Sequence, residues 1–250
     1  MGKRNHWLKR QACDIKKIIN LRDKLLKEEK LLVSASGTMR FLAGQGNFST
    51  KTPRSAISEL LVNLASDQQL IRELKMASGQ NYLRLLHAEI ICKPSGTRGT
   101  KWHRDKDYLP VDRETFTCWV PLTKTRSESS LVYADGSTRI KNKKMSIDSH
   151  EELVENIKKY GSPFQKLPTM IPGDINIQNG EVAHCSQDNL DSQTRISAAI
   201  VYVPEGTRFT LTPEQHSGKE GEELRKELME TFFSRSSCGE LVEGTCHPKI

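Results

Sequence analysis

Residues 100–110 read TKWHRDKDYLP, with His103 two positions before Asp105 and directly behind the bulky Trp102. In a strand, side chains two apart point to the same face, so an extended segment here brings an imidazole and a carboxylate to one point. Such a pair is two thirds of the site that binds non-heme Fe(II) and leaves coordination positions open. Two related tripeptides, His87-Ala-Glu89 and His150-Glu-Glu152, show that spacing alone does not single out His103. His150 opens a polar, helix-patterned segment and reads as solvated. His87 follows Leu85-Leu86 in an apolar run and reads as a core or pocket-lining histidine.

The downstream sequence separates them. Residues 180–203 read GEVAHCSQDNLDSQTRISAAIVYV, with His184 just past an Asn179-Gly180 turn and Arg195 at the head of an apolar strand. Strand alternation places His184 and Ser186 on one face, and Arg195, Ser197 and Ala199 on a face of their own. A cation at the head of that small, apolar face calls for an anion.

Working outward, apolar residues recur at helical spacing over residues 13–29 and 55–76, which predicts two packing helices. Strands are predicted over 82–93, 115–122, 130–133, 174–178 and 195–203, separated by turn signals such as Lys-Pro-Ser-Gly and Pro-Gly-Asp. Helical period returns over 149–160 and 220–233. Helices followed by many short strands indicate a mainly β fold, a sandwich or barrel with flanking helices, rather than alternating βαβ units. No glycine-rich phosphate loop is present, which argues against a Rossmann fold. We expect one domain over residues 1–250: a helical part at 1–80, a β core at about 81–210 and a helical tail at 211–250.

WHRD-x-x-YLP, the strand FTCWVPL, the turn PGD, H-x-S and an Arg eleven residues past that His together resemble the phytanoyl-CoA dioxygenase family of Fe(II)/2-oxoglutarate-dependent oxygenases, over roughly residues 83–203. The resemblance implies a double-stranded β-helix, the jelly roll of cupin-like proteins, with the metal between its sheets. It implies that His103, Asp105 and His184 are both the iron ligands and the catalytic centre. Arg195 would hold the distal carboxylate of the cosubstrate 2-oxoglutarate, Ser186 would add a hydrogen bond, and Trp119 and Thr100 would line the same pocket. Three protein ligands leave room for a bidentate 2-oxo acid and O2. The expected activity is oxidation of a C–H bond by hydroxylation, desaturation or cyclisation, on a small metabolite or natural-product intermediate. Asp105 argues against halogenation, for which relatives replace this carboxylate. Residues 127–130, Ser-Glu-Ser-Ser, depart from the relatives' Glu-Asn-Gly turn, so no relative's substrate is carried over.

Composition bounds the partners. The chain of 250 residues carries a formal charge of +7, but its Lys and Arg are interspersed with acids, which speaks against a nucleic-acid surface. Two basic segments, 123–126 with Arg126 and 139–144 with Arg139 and Lys143, would steer an anionic small-molecule substrate. No apolar run approaches a membrane span, and six scattered cysteines without a C-x-x-C pair read as reduced packing thiols. A cytoplasmic enzyme is expected, and the sequence carries no signal for its oligomeric state. Two rivals use the same sheet. One is a non-oxidative cupin-like metal enzyme, and the other is a catalytically silent binding module.

Overall fold

The computed structural model of the chain describes residues 6–27, 32–33, 39–43, 56–139, 150–159, 164–210, 236–244 and 247–250. The larger of its two antiparallel sheets runs in the order β1 (His6–Lys9), β8 (Ile175–Asn179), β5 (Phe116–Pro121), β10 (Arg195–Pro204), β4 (Leu83–Lys93), β3 (Met39–Ala43), β2 (Leu32–Val33). The smaller sheet is β7 (Phe164–Lys166), β6 (Leu131–Ala134), β9 (Ala183–Ser186). Their arrangement is the double-stranded β-helix that the sequence led us to expect.

β10 organises the fold. All ten of its residues are buried, because the strand is central and covered on both faces. Ile196, Ala198, Ile200 and Tyr202 point to one side. There they meet α1 (Ile15–Leu25), α2 (Ala56–Ala65) and α3 (Gln68–Ser78) through Ile18, Leu21, Leu61, Leu64, Leu70 and Leu74. Each large apolar side chain in this layer contributes about 1.5–3 kcal/mol by leaving water. Tyr202 also donates its hydroxyl hydrogen bond to the Ala65 carbonyl at 2.6 Å, tying the sheet to the end of α2. The opposite face of β10 carries Arg195, Ser197 and Ala199 and is left for the site.

Beside it, β4 contains a bulge: Val201 pairs with His87 but Tyr202 with Leu85, so Leu86 is the extra residue. A one-residue insertion reverses the alternation. Leu83 and Leu85 face the helices before it and Ala88, Ile90 and Cys92 after it. His87, Glu89, Ile91 and Lys93 are thereby left on the same side as Arg195 and Ser197.

The strands expected at 82–93, 115–122, 130–133, 174–178 and 195–203 correspond to β4, β5, β6, β8 and β10. The single helix expected over 55–76 is two helices. Asp67 breaks it by acting as N-cap to α3, its Oδ1 accepting from Gln69 N at 3.0 Å and Leu70 N at 3.1 Å. Burial raises the Asp67 pKa, but the Lys17 ammonium and these N–H groups outweigh that and hold it below the usual value. Gly79, at φ 70°, closes the C-terminus of α3 in the left-handed region.

The expected helical part at 1–80 also contributes β1, β2 and β3 to the large sheet, and short strands on its edge were not read from sequence. The end of the expected helical tail is extended: Ile250 N donates to Leu83 O at 2.9 Å and Leu85 N to Pro248 O at 3.1 Å, continuing the pairing of β4. The helix expected over 220–233 lies outside the described residues. That expected over 149–160 is α4 (His150–Lys159).

Candidate metal centre

The two histidines are brought together by backbone pairing. His103 and His184 form an isolated antiparallel bridge, each N–H donating to the other's carbonyl at 2.9 Å, and their rings stand 4.3 Å apart. Trp102, next in sequence and pointing away, packs with Val132, Ala134, Ala183 and Cys185 and anchors the segment to the small sheet.

Asp105 reaches the same point differently from the strand alternation expected of it. It begins a 3-10 turn, Asp105–Asp107, in which Tyr108 N and Leu109 N both donate to its carbonyl at 3.1 Å. Buried Arg104 clamps Asp107 in a fork, Nε to Oδ2 at 2.9 Å and Nη2 to Oδ1 at 3.0 Å, which holds the turn. Lys106 N donates to Gly180 O at 3.1 Å, and a Cβ at Gly180 would lie 2.0 Å from Thr115 Oγ1, so only glycine permits that approach.

The carboxylate is oriented by two donors: Thr117 Oγ1 at 2.6 Å and Gln178 Nε2 at 2.9 Å both donate to Oδ2. Its Oδ1 lies 3.7 Å from His103 Nε2 and 3.6 Å from His184 Nε2. Burial raises the Asp105 pKa, yet the two histidines and these donors prevail and hold it below the usual carboxylate value. Gln178 is itself fixed by Tyr133, whose hydroxyl donates to its Oε1 and accepts from Asn176 Nδ2 at 2.8 Å. Burial, reinforced by the nearby carboxylates, pushes the Tyr133 pKa up, so it stays a donor.

His103 Nδ1 lies 2.8 Å from the Lys101 carbonyl and His184 Nδ1 3.2 Å from that of Val182. Carbonyl acceptors at Nδ1 leave the Nε2 atom of each ring as the one turned toward Asp105, where it can serve as a metal ligand. One ligand atom from each of the three residues lies within 4.8 Å of the others. This donor set, two imidazoles and one carboxylate at a cavity, fits Fe(II).

The cavity that begins at these three residues ends at two buried cations. Arg195 is 4% exposed, and burial lowers its pKa to about 10, so it remains charged at neutral pH. It donates from Nη1 to the Ser129 carbonyl, while its Nε, though buried, has no hydrogen-bond partner. In register with it on β4 stands Lys93, 1% exposed. Its Nζ donates to Ser186 Oγ at 2.8 Å, Thr100 Oγ1 at 3.0 Å and Arg98 O at 3.1 Å. Ser197 Oγ, also lining the cavity, is a second buried polar atom with no partner. Unsatisfied buried groups beside two cations are what an anionic cosubstrate would satisfy.

The structure therefore brings His103, Asp105, His184, Arg195, Ser186, Trp119 and Thr100 to one cavity. It does not bring the basic-loop residues there. Arg126 lies at the surface between Glu128 (3.6 Å) and Asp191 (3.4 Å), and Arg139 is exposed at the end of a 3-10 turn. Lys143 lies outside the described residues. Acids thus offset the charge of Arg126. Cys118 and Cys185 point away from the site into packing, as expected from alternation. Sequence reasoning missed Lys93, Gln178, Thr117 and Glu89. The period-2 row His87-x-Glu89-x-Ile91-x-Lys93 could have signalled Glu89 and Lys93, and Thr117 shares a strand face with Trp119.

The sequence matches the phytanoyl-CoA dioxygenase family, PhyH, over residues 16–197. Among solved structures, the chain is similar to the non-heme alpha ketoglutarate dependent carbocyclase SnoK from nogalamycin biosynthesis, with TM-score 0.74 and 16% identity over 99% of this chain and 92% of that one. The epimerase SnoN in complex with Fe3+, alpha ketoglutarate and nogalamycin RO gives TM-score 0.74 at 14% identity, covering 99% and 94%. HygX from Streptomyces hygroscopicus, with nickel and 2-oxoglutarate bound, gives 0.56 at 16%, covering 81% and 84%. At such identities the structural likeness speaks for the fold, while the sequence match carries the family. With its two-histidine, one-carboxylate cluster at one end of a cavity and buried cations at the other, this chain belongs to the phytanoyl-CoA dioxygenase family of Fe(II)/2-oxoglutarate-dependent oxygenases.

Proposed function

We propose that His103, Asp105 and His184 hold the iron and that Arg195 and Lys93 hold the distal carboxylate of 2-oxoglutarate, in an oxygenase acting on a small molecule. The observation that carries this is the shared cavity: three converging ligand atoms at one end and a buried guanidinium with an unsatisfied Nε at the other. With iron, 2-oxoglutarate and O2 bound, the cofactor set supplies C–H oxidation while the 2-oxo acid leaves as succinate and CO2.

The chain's own residues prepare that chemistry. Thr117 and Gln178 hold Oδ2 of Asp105 and turn Oδ1 toward the histidines. Lys93 gathers Ser186 and Thr100 into one hydrogen-bonding cluster beside Arg195, fixing the cosubstrate's orientation as well as its charge. Trp119 and Leu131 exclude water from the cavity wall.

One catalytic domain over residues 1–250 is supported by a single sheet that takes strands from His6 to Pro204 and pairs with residues 248–250. No helix of the described residues is long and apolar enough to cross a membrane. A cytoplasmic site of action is supported by five free thiols among the described residues, four of them buried. An anionic substrate is supported only by the charge of +7 and by exposed Arg126 and Arg139, neither of which lines the cavity.

The test is succinate formed from 2-oxoglutarate with and without Fe(II), together with the weak visible charge-transfer band of a bidentate 2-oxo acid under anaerobic conditions. A non-oxidative metal enzyme would show neither. A silent binding module would bind its ligand without iron.

A further inference from the structure

One carboxylate in the cavity has no part in holding iron or cosubstrate. Glu89 of β4 is in register with Ala199 of β10, which is in register with Trp119 of β5. All three line the cavity, with the smallest side chain in the middle of the row. Strands about 4.8 Å apart put the outer two backbones about 10 Å from each other. That leaves room for a small group above Ala199.

Glu89 is half-buried and makes no hydrogen bond or ion pair with a described residue. Lys93, on the same face, is four residues and about 13 Å of strand away, with its ammonium on Ser186, Thr100 and the Arg98 carbonyl. Arg84, beyond the bulge, reaches Glu205 instead. The row neighbours of Glu89, Ala199 and Trp119, and its strand neighbour Ile91 are apolar, while His87 shares its face two residues before it and Arg40 of β3 is in register with Ile91. A cavity-lining carboxylate without a direct partner is open to a ligand that brings a counter-charge. An acid and an indole facing each other across an open floor are the chemistry that recognises an organic ammonium.

We propose that this part of the cavity is the substrate subsite and that it takes a protonated amine, the ammonium held between Glu89 and the ring of Trp119 above Ala199. The substrate is then a small amine, not the anion suggested by the basic loops. This rests on the oxygenase reading and adds the substrate class to it.

The test uses the full chain with Fe(II) and 2-oxoglutarate under anaerobic conditions. The charge-transfer band is read first, and its absence overturns the oxygenase reading together with this inference. With the band present, benzylammonium, benzyl alcohol and benzoate are titrated separately, following the band and tryptophan fluorescence. Benzylammonium is expected to bind about tenfold more tightly than either of the others. Glu89→Gln should remove that preference and Glu89→Lys should shift it toward benzoate. If benzylammonium binds no better than benzyl alcohol, or none of the three binds, the amine subsite is wrong while the oxygenase reading stands. A preference that survives Glu89→Gln overturns it equally, and the wild-type comparison decides alone if the variants do not fold.

Discussion

The two faces of β10 come from the same ten residues and do opposite work. Toward the helices, Ile196, Ala198, Ile200 and Tyr202 make a dry layer with α1, α2 and α3. Toward the small sheet, Arg195, Ser197 and Ala199 leave a cavity, a buried cation and two unsatisfied polar atoms. The first face provides stability by apolar burial. The second sacrifices packing for binding, which the fold tolerates because the strand is already held by its other side and by β4 and β5. If this division is real, changes on the two faces should move different observables.

The largest effect belongs to the metal end. Asp105→Ala should abolish the charge-transfer band and cost iron affinity more than about 3 kcal/mol, two decades or more, as read by Fe(II) titration. An unchanged band would remove Asp105 from the ligand set. Next comes the helix face: Ile200→Ala should lower unfolding free energy by about 2–5 kcal/mol in denaturant titration, while iron and 2-oxoglutarate affinities in the folded protein stay put. Loss of cosubstrate binding there would show that the two faces are not independent.

Arg195→Met is the sharper counterpart. It should weaken 2-oxoglutarate binding by about 1.5–3 kcal/mol, one to two decades, with iron affinity retained. Because a buried cation is replaced by an apolar chain of similar length, Tm should hold or rise. A falling Tm together with equal loss of iron would mark Arg195 as structural. The smallest effect is expected at Asp67→Ala, which removes the α3 cap and the Lys17 partner. It should cost about 1 kcal/mol of stability and leave cosubstrate affinity untouched.

How legible the site was follows the same geometry. His103, Asp105, His184, Ser186 and Arg195 were placed together by the family resemblance, which rests on two short motifs, and one cavity is lined by all five. The route to Asp105 was misread: strand alternation was expected, yet a 3-10 turn clamped by Arg104 and Asp107 brings it to the histidines. Lys93 was overlooked because nothing local marks a lysine as buried; its depth depends on Ser186 and Thr100 arriving from elsewhere. The break at Asp67 was missed because an unbroken apolar period outweighed a single capping carboxylate.

By itself, the sequence determined what depends on near neighbours: the period-2 strands, the helical faces of α1 to α3, and a motif that brings a histidine and an aspartate together. Only the tertiary structure decided which strands are neighbours and in what register. Lys93 meets Arg195, and Glu89 meets Ala199 and Trp119, through antiparallel pairings between residues far apart in the chain. A bulge at Leu86 then sets which side of β4 faces the cavity. Register is a long-range property, since a one-residue slip turns every side chain to the other face, and no local pattern in β4 records the partner strand that forbids the slip.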